Sequence, residues 1–235
     1  MAIGILGKKL GMTQVYDPSG ERVPVTVIEA GPCDVIRFKT QEADGYEAVI
    51  MGFGSAKEKR TPKPQLGEYK KAAVAPRRFV REFKIKSQEE RNSYAQGQPV
   101  KVDRFSAGEC VDVTGTTIGK GFQGGVRRWN WRGGDETHGS MTHRRPGSIG
   151  ASSFPSRVFP GHHMPGHMGH RVRTVENVEV VDVMVDKNLL IVKGQVPGPR
   201  NEYLVIEKAL KRPRRKERIE QVAKKLKAKA RVKKQ

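Results

Sequence analysis

The sequence predicts a mainly β protein: a closed or nearly closed β-barrel that carries one long basic loop and ends in a basic helix. Three observations lead there. Short runs rich in Val, Ile and Phe recur with turn signals about every 8–12 residues, the pattern of a barrel or sandwich. Residues 115–173 hold 13 of the 26 glycines, all six histidines and both tryptophans, with no sustained apolar period of 2 or 3.6. Residues 207–235 carry 14 Lys and Arg against three Glu.

Taken in order, Met12–Tyr16 and Val23–Ala30 read as a hairpin across Asp17-Pro18-Ser19-Gly20, with Gly31-Pro32 stopping the second strand. Cys33–Thr40 and Tyr46–Gly52 read as a second pair joined through Asp44-Gly45, a common hairpin dipeptide. Residues 55–67 are polar and Pro-containing, a loop, and Gly67–Ala75 reads as a short helix ending before Pro76. Strands follow at Arg78–Ile85, Val100–Phe105 and Cys110–Thr114. After the insertion, alternating valines mark Val172–Asp186; a turn at Asp186-Lys187-Asn188 leads into Leu189–Lys193, and Tyr203–Ile206 is last. The domain reading is a barrel of residues 1–114 and 174–206, a loop of 115–173 inserted between strands, and a tail of 207–235. In the tail Ile219, Val222, Leu226 and Ala230 fall at helical spacings among Lys and Arg.

Charge divides the same way. The loop is net +7, with Asp135 and Glu136 its two acids, and the tail is net +11; the other 147 residues are net +2 of the chain's +20. Such asymmetry points to nucleic acid or a membrane surface. No apolar run approaches membrane length, and no signal peptide or lipidation motif is read, so nucleic acid is the expected partner. Cys33 and Cys110 lack CxxC spacing and read as reduced, packed thiols.

Several motifs suggest other chemistries. Gly119-Lys120-Gly121-Phe122-Gln123-Gly124 is a literal GxGxxG, but Gly133-Gly134 ends any following helix and no second βαβ strand appears. His162, His163, His167 and His170 cluster in PGHHMPGHMGH, and a metal-dependent enzyme built on them is the rival reading. No acid lies between Glu136 and Glu176 to complete such a site, so metal and cofactor are expected to be none. Ser140, Ser148, Ser152 and Ser153 lack a GxSxG elbow. No catalytic residue and no small-molecule substrate are expected. A free regulatory RNA- or DNA-binding module is a third possibility, which the tail alone could support.

RNA-binding chemistry is better supplied. Arg127-Arg128-Trp129-Asn130-Trp131-Arg132 joins guanidiniums that pair phosphate oxygens to indoles that stack on bases; one tryptophan could instead anchor the loop root. Arg144-Arg145 and Arg171-x-Arg173 are phosphate clamps. The expected contact set is Lys120, Arg127, Arg128, Trp129, Trp131, Arg132, His138, His143, Arg144, Arg145, Arg157, His162, His163, His167, His170, Arg171 and Arg173. The tail adds Arg212, Arg214, Arg215, Lys224 and Lys225.

Four segments, MAIGILGKKLGMTQVY, VDVTGTTIGKGFQGGVRRWNW, THGSMTHRRPGSIG and NLLIVKGQVPGP, resemble the bacterial-type ribosomal protein L3 family, in order, from residue 1 to about Ile206. The resemblance implies a translation-protein-type β-barrel whose loop penetrates large-subunit rRNA. It implies primary binding near the 3′ end of the 23S rRNA, nucleation of subunit assembly, and a non-enzymatic role in the cytoplasm. Ribosomal proteins L14 and L19 are the neighbours it suggests. The loop tip near the peptidyl transferase centre would be Gly147, Ser148, Ile149, Gly150, Ala151, Ser152, Ser153 and Phe154. Some relatives carry glutamines there, one of them methylated; Ala151-Ser152-Ser153 leaves no such acceptor. His162-His163 stand where some relatives carry lysines, which ties local charge to pH. The loop is expected to be a flexible segment that orders within RNA.

Overall fold

The structure, a computed structural model, describes residues 4–17, 20–85 and 88–211. The elements run β1 (Ile5–Tyr16), β2 (Arg22–Ala30), β3 (Cys33–Lys39), α1 (Gln41–Asp44), β4 (Ala48–Ser55), α2 (Lys63–Lys71) and β5 (Arg77–Lys84). Then come α3 (Gln88–Asn92), β6 (Pro99–Val100), β7 (Cys110–Thr116), β8 (Gly121–Gln123) and α4 (Gly125–Trp129). The last are β9 (Gly166–Met168), β10 (Val172–Met184), β11 (Leu189–Lys193) and β12 (Tyr203–Lys208). The tail helix expected beyond residue 211 lies outside the described residues.

The protein is mainly β, and its centre is a ring of antiparallel strands in the order β1-β12-β7-β10-β11-β2. Alternation makes one face of three of these strands apolar: Val111 and Val113 of β7, Leu204 and Ile206 of β12, and Val178 and Val180 of β10 are buried while their neighbours are less so. A second sheet, β5-β4-β3-β6, shares this core, placing Val35, Val49, Met51, Phe83 and Val100 in one cluster with Ile5, Leu6, Leu190 and Ile206. Fully burying each such side chain contributes about 1.5–3 kcal/mol.

Several expectations shift. The first strand begins at Ile5, because its N-terminal half pairs with β12 as well as β2. Asp44-Gly45 does not close a tight hairpin: Asp44 ends one turn of helix, α1, with Gly45 left-handed (φ 79°) as its cap. The short helix lies earlier, at Lys63–Lys71, since Pro64 suits a first turn and the chain turns again before Pro76. Of the expected strand Val100–Phe105 only Val100 falls in a strand, at the end of β6; Val102–Arg104 form a 3₁₀ turn, and Val102 and Phe105 are buried.

Two polar groups inside this unit are instructive. The Lys9 ammonium is buried and donates to the carbonyls of Val196 (3.0 Å) and Gly198 (2.8 Å), pinning the loop between β11 and β12; burial pulls its pKa down. Both cysteines are free, and burial pushes the Cys33 thiol up to about 12 while it donates to the Leu6 carbonyl.

Candidate nucleic-acid interface

The described residues outside 117–172 form one compact unit, and Thr117–Val172 form a second. The second unit is a long excursion between β7 and β10, which are neighbours in the ring. It is not structureless along its length. Its outgoing and returning arms bind each other: Thr117 N–H donates to Arg171 O (2.9 Å), Lys120 N–H to Met168 O (2.9 Å), and β8 pairs antiparallel with β9. Partners about 45 residues apart leave no local period, so the ladder is invisible in the sequence.

Above the ladder, α4 brings the Arg/Trp run against the histidine arm. The Trp129 ring stacks on His163 (centroids 4.1 Å apart, planes 6° apart), and its indole N–H donates to Met164 O at 2.8 Å. Arg128 donates to the same carbonyl (2.6 Å), its guanidinium 4.9 Å from the Trp129 ring. The Trp131 ring lies on Gly125, where a β-carbon would overlap it. Asn130 ends α4 in the left-handed region (φ 60°), letting both indoles fold back onto the unit. Gly169 performs the matching turn on the other arm (φ 76°), where a β-carbon would overlap the Ile118 carbonyl. Trp129, Arg128 and His163 therefore hold the arms together, while Trp131 packs within the outgoing arm.

The other expected contacts are exposed: Lys120, Arg127, Arg132, His138, His143, Arg144, Arg145, Arg157, His162, His167, His170 and Arg171 in this unit, and Arg173 in the first. Every residue from Gly147 to Phe154 is exposed. A cleft of about 660 Å³ opens among Trp131, Arg145, Ile149, His162 and His163. Arg212, Arg214, Arg215, Lys224 and Lys225 lie outside the described residues. Ile118, Phe122 and Met141, absent from the expected contact set, have side chains exposed like that of Phe154. Large apolar residues inside a Gly-rich basic run were the available signal.

The four clustered histidines are not gathered into a ligand set. His163 faces Trp129, His167 sits on β9, and His170 occupies a left-handed position; among the described residues no three His, Cys, Asp or Glu side chains form a group that could hold a metal. The GxGxxG run forms β8 and its flanks, followed by a five-residue helix in place of a βαβ crossover. Among the described residues no helix is long and apolar enough to cross a membrane.

The ladder-rooted, basic excursion lies inside the span that a family model matches. The family model described as ribosomal protein L3 matches residues 85–184, a span that runs from the end of β5 through the whole excursion to the end of β10. Over that span the chain is similar to the ribosomal protein L3 family. The ribosomal protein L3 family is one of structural, not enzymatic, constituents of the large ribosomal subunit that bind rRNA among other ribosomal proteins. Two of the four resembling segments fall inside the matched span and two outside it.

Proposed function

We propose that the ring and sheet, residues 1–114 and 174–206, form a translation-protein-type β-barrel anchor, while residues 115–173 thread into 23S rRNA near its 3′ end. Binding there nucleates subunit assembly, with Gly147–Phe154 directed toward the peptidyl transferase centre, L14 and L19 as neighbours, and the cytoplasm as the site of action. The basic tail adds phosphate contacts.

One observation carries this reading. Of the 15 large apolar side chains exposed among the described residues, nine lie within 117–172, interspersed with that segment's arginines and histidines. A surface that offers apolar faces and cations together, with two acids in all, suits unstacked bases and phosphates and would be poorly covered by water. The paired arms lower the conformational entropy lost on threading, since the root is already ordered before RNA arrives.

The test is deletion of residues 133–160, which leaves the ladder and the Trp129–His163 stack in place. A folded anchor with impaired large-subunit maturation and peptidyl transfer is expected. Normal subunit yield and translation from that variant would refute the proposal.

A further inference from the structure

Averaging conceals a third basic segment. Residues 57–81 carry nine Lys and Arg against Glu58 and Glu68, a net of +7, inside a 147-residue portion whose total is only +2. The fold concentrates part of that charge. The end of β4, the 3₁₀ turn Glu58–Arg60, the start of α2 and the start of β5 enclose a cleft of about 470 Å³. Its polar lining includes Lys57, Arg60, Thr61, Gln65, Arg77 and Arg78, and no carboxylate.

The cations divide into two kinds. Arg77 is committed to the fold: its Nε donates to Asp34 at 2.6 Å, and β5 carries it beside the core. Lys57, Arg60 and Arg78 are exposed and, among the described residues, make no ion pair. Three uncompensated cations around a polar concavity repel one another until an anion enters. Guanidiniums add paired donors matched to phosphate oxygens, and the Thr61 hydroxyl and Gln65 amide add neutral donors. The lining has no large apolar side chain to enter a bilayer or seat a peptide's hydrophobic anchor.

We infer that this cleft is a second RNA-contact site, separate from the 115–173 excursion, that grips the phosphodiester backbone of folded rRNA through Lys57, Arg60 and Arg78. It rests on the rRNA-binding reading above and adds to it a contact surface on the ring-and-sheet unit. Backbone gripping is blind to sequence, so the cleft supplies affinity and orientation, leaving base recognition to the excursion.

The experiment measures binding of the full-length protein to 23S rRNA transcripts across a salt series. The Lys57→Gln/Arg60→Gln/Arg78→Gln variant should lower the slope of log K against log salt by roughly 2–3, at 0.7–0.9 per lost phosphate contact, and weaken binding about 100-fold at 0.15 M salt. A variant losing equal charge elsewhere, Lys101→Gln/Lys187→Gln/Lys193→Gln, should change the slope less. Thermal melts establish that both fold. An unchanged slope in the cleft variant, or an equal loss in the charge control, overturns the inference. So does stronger competition for the cleft by polyglutamate than by RNA of equal charge. An excursion variant, Arg127→Gln/Arg132→Gln/Arg144→Gln, separates the two claims. If it weakens binding while the cleft variant does not, the rRNA reading stands and the cleft fails; if the unmodified protein does not bind the transcripts, both fail.

Discussion

Replacing Trp129 by alanine should open the root of the excursion without unfolding the ring. Two interactions are lost: the parallel stack on His163 and the 2.8 Å indole bond to the Met164 carbonyl. Aromatic pairing contributes about 0.5–1.5 kcal/mol, and a net hydrogen bond about 0.5–1.5 kcal/mol. Trp129 is 37% exposed, so values in the lower half of each range apply, for a total of about 1–2 kcal/mol. The two-stranded ladder beneath is only three residue pairs long, and such a ribbon is marginal without support. Native-state hydrogen exchange reads the consequence. The Lys120 amide, bonded to Met168 O, should exchange roughly 5–30 times faster, while ring amides such as Ala30 stay protected. Trp129→Phe keeps the stack and loses the bond, and should fall between the two. Unchanged protection at Lys120 would show that the tryptophan does not hold the arms. Equal loss in the ring would show that the excursion is not an independent unit.

Gly169→Ala should disturb the same root from the opposite arm, because its left-handed backbone and the Ile118 carbonyl leave no room for a β-carbon; a penalty above about 1 kcal/mol confined to the excursion is expected by hydrogen exchange. Lys9→Met should destabilise the ring by about 2 kcal/mol in urea unfolding, since the Val196 and Gly198 carbonyls lose charge-assisted donors; a neutral result would mean that relief of the buried charge offsets them. Cys33 gives a pH prediction. Its thiol ionises near 9 when unfolded and near 12 when folded, so its stabilisation is complete below pH 9 and is lost as pH rises toward 12. At pH 10 the loss is about 1.4 kcal/mol. The lowered pKa of Lys9 acts in the opposite sense, adding stability as pH rises, so the informative quantity is the difference in alkaline slope between the unmodified protein and Cys33→Ala. Parallel slopes would contradict it.

β7 and β10 were legible because each buries one face: the valines of β10 and the alternation of β7 are written in local sequence. What depended on partners distant in sequence was not. Nothing local announces that Gly7 and Lys8 pair on both sides, or that Phe122 faces His167 across a ladder. Residue type pointed to the expected contacts but could not divide them: Trp129, Arg128 and His163 engage across the two arms and Trp131 lies on Gly125, whereas Arg127, Arg132 and Arg144 point to solvent without such a contact across the arms. The basic cleft was hidden for a different reason. Acids elsewhere in the same unit cancelled its charge in the sum, and only the fold brings Lys57 and Arg60 beside Arg78.

The central claim is that the excursion enters rRNA with its tip foremost. It is tested most directly by a Ser152→Cys variant that carries a tethered iron chelate on the new thiol, with Cys110→Ser to remove the more accessible native one. Cleavage of 23S rRNA is then mapped in reconstituted large subunits. Cys33 is fully buried and stays unmodified. Cuts concentrated on nucleotides around the peptidyl transferase centre are the expected result. Cuts confined to helices on the subunit surface would contradict it.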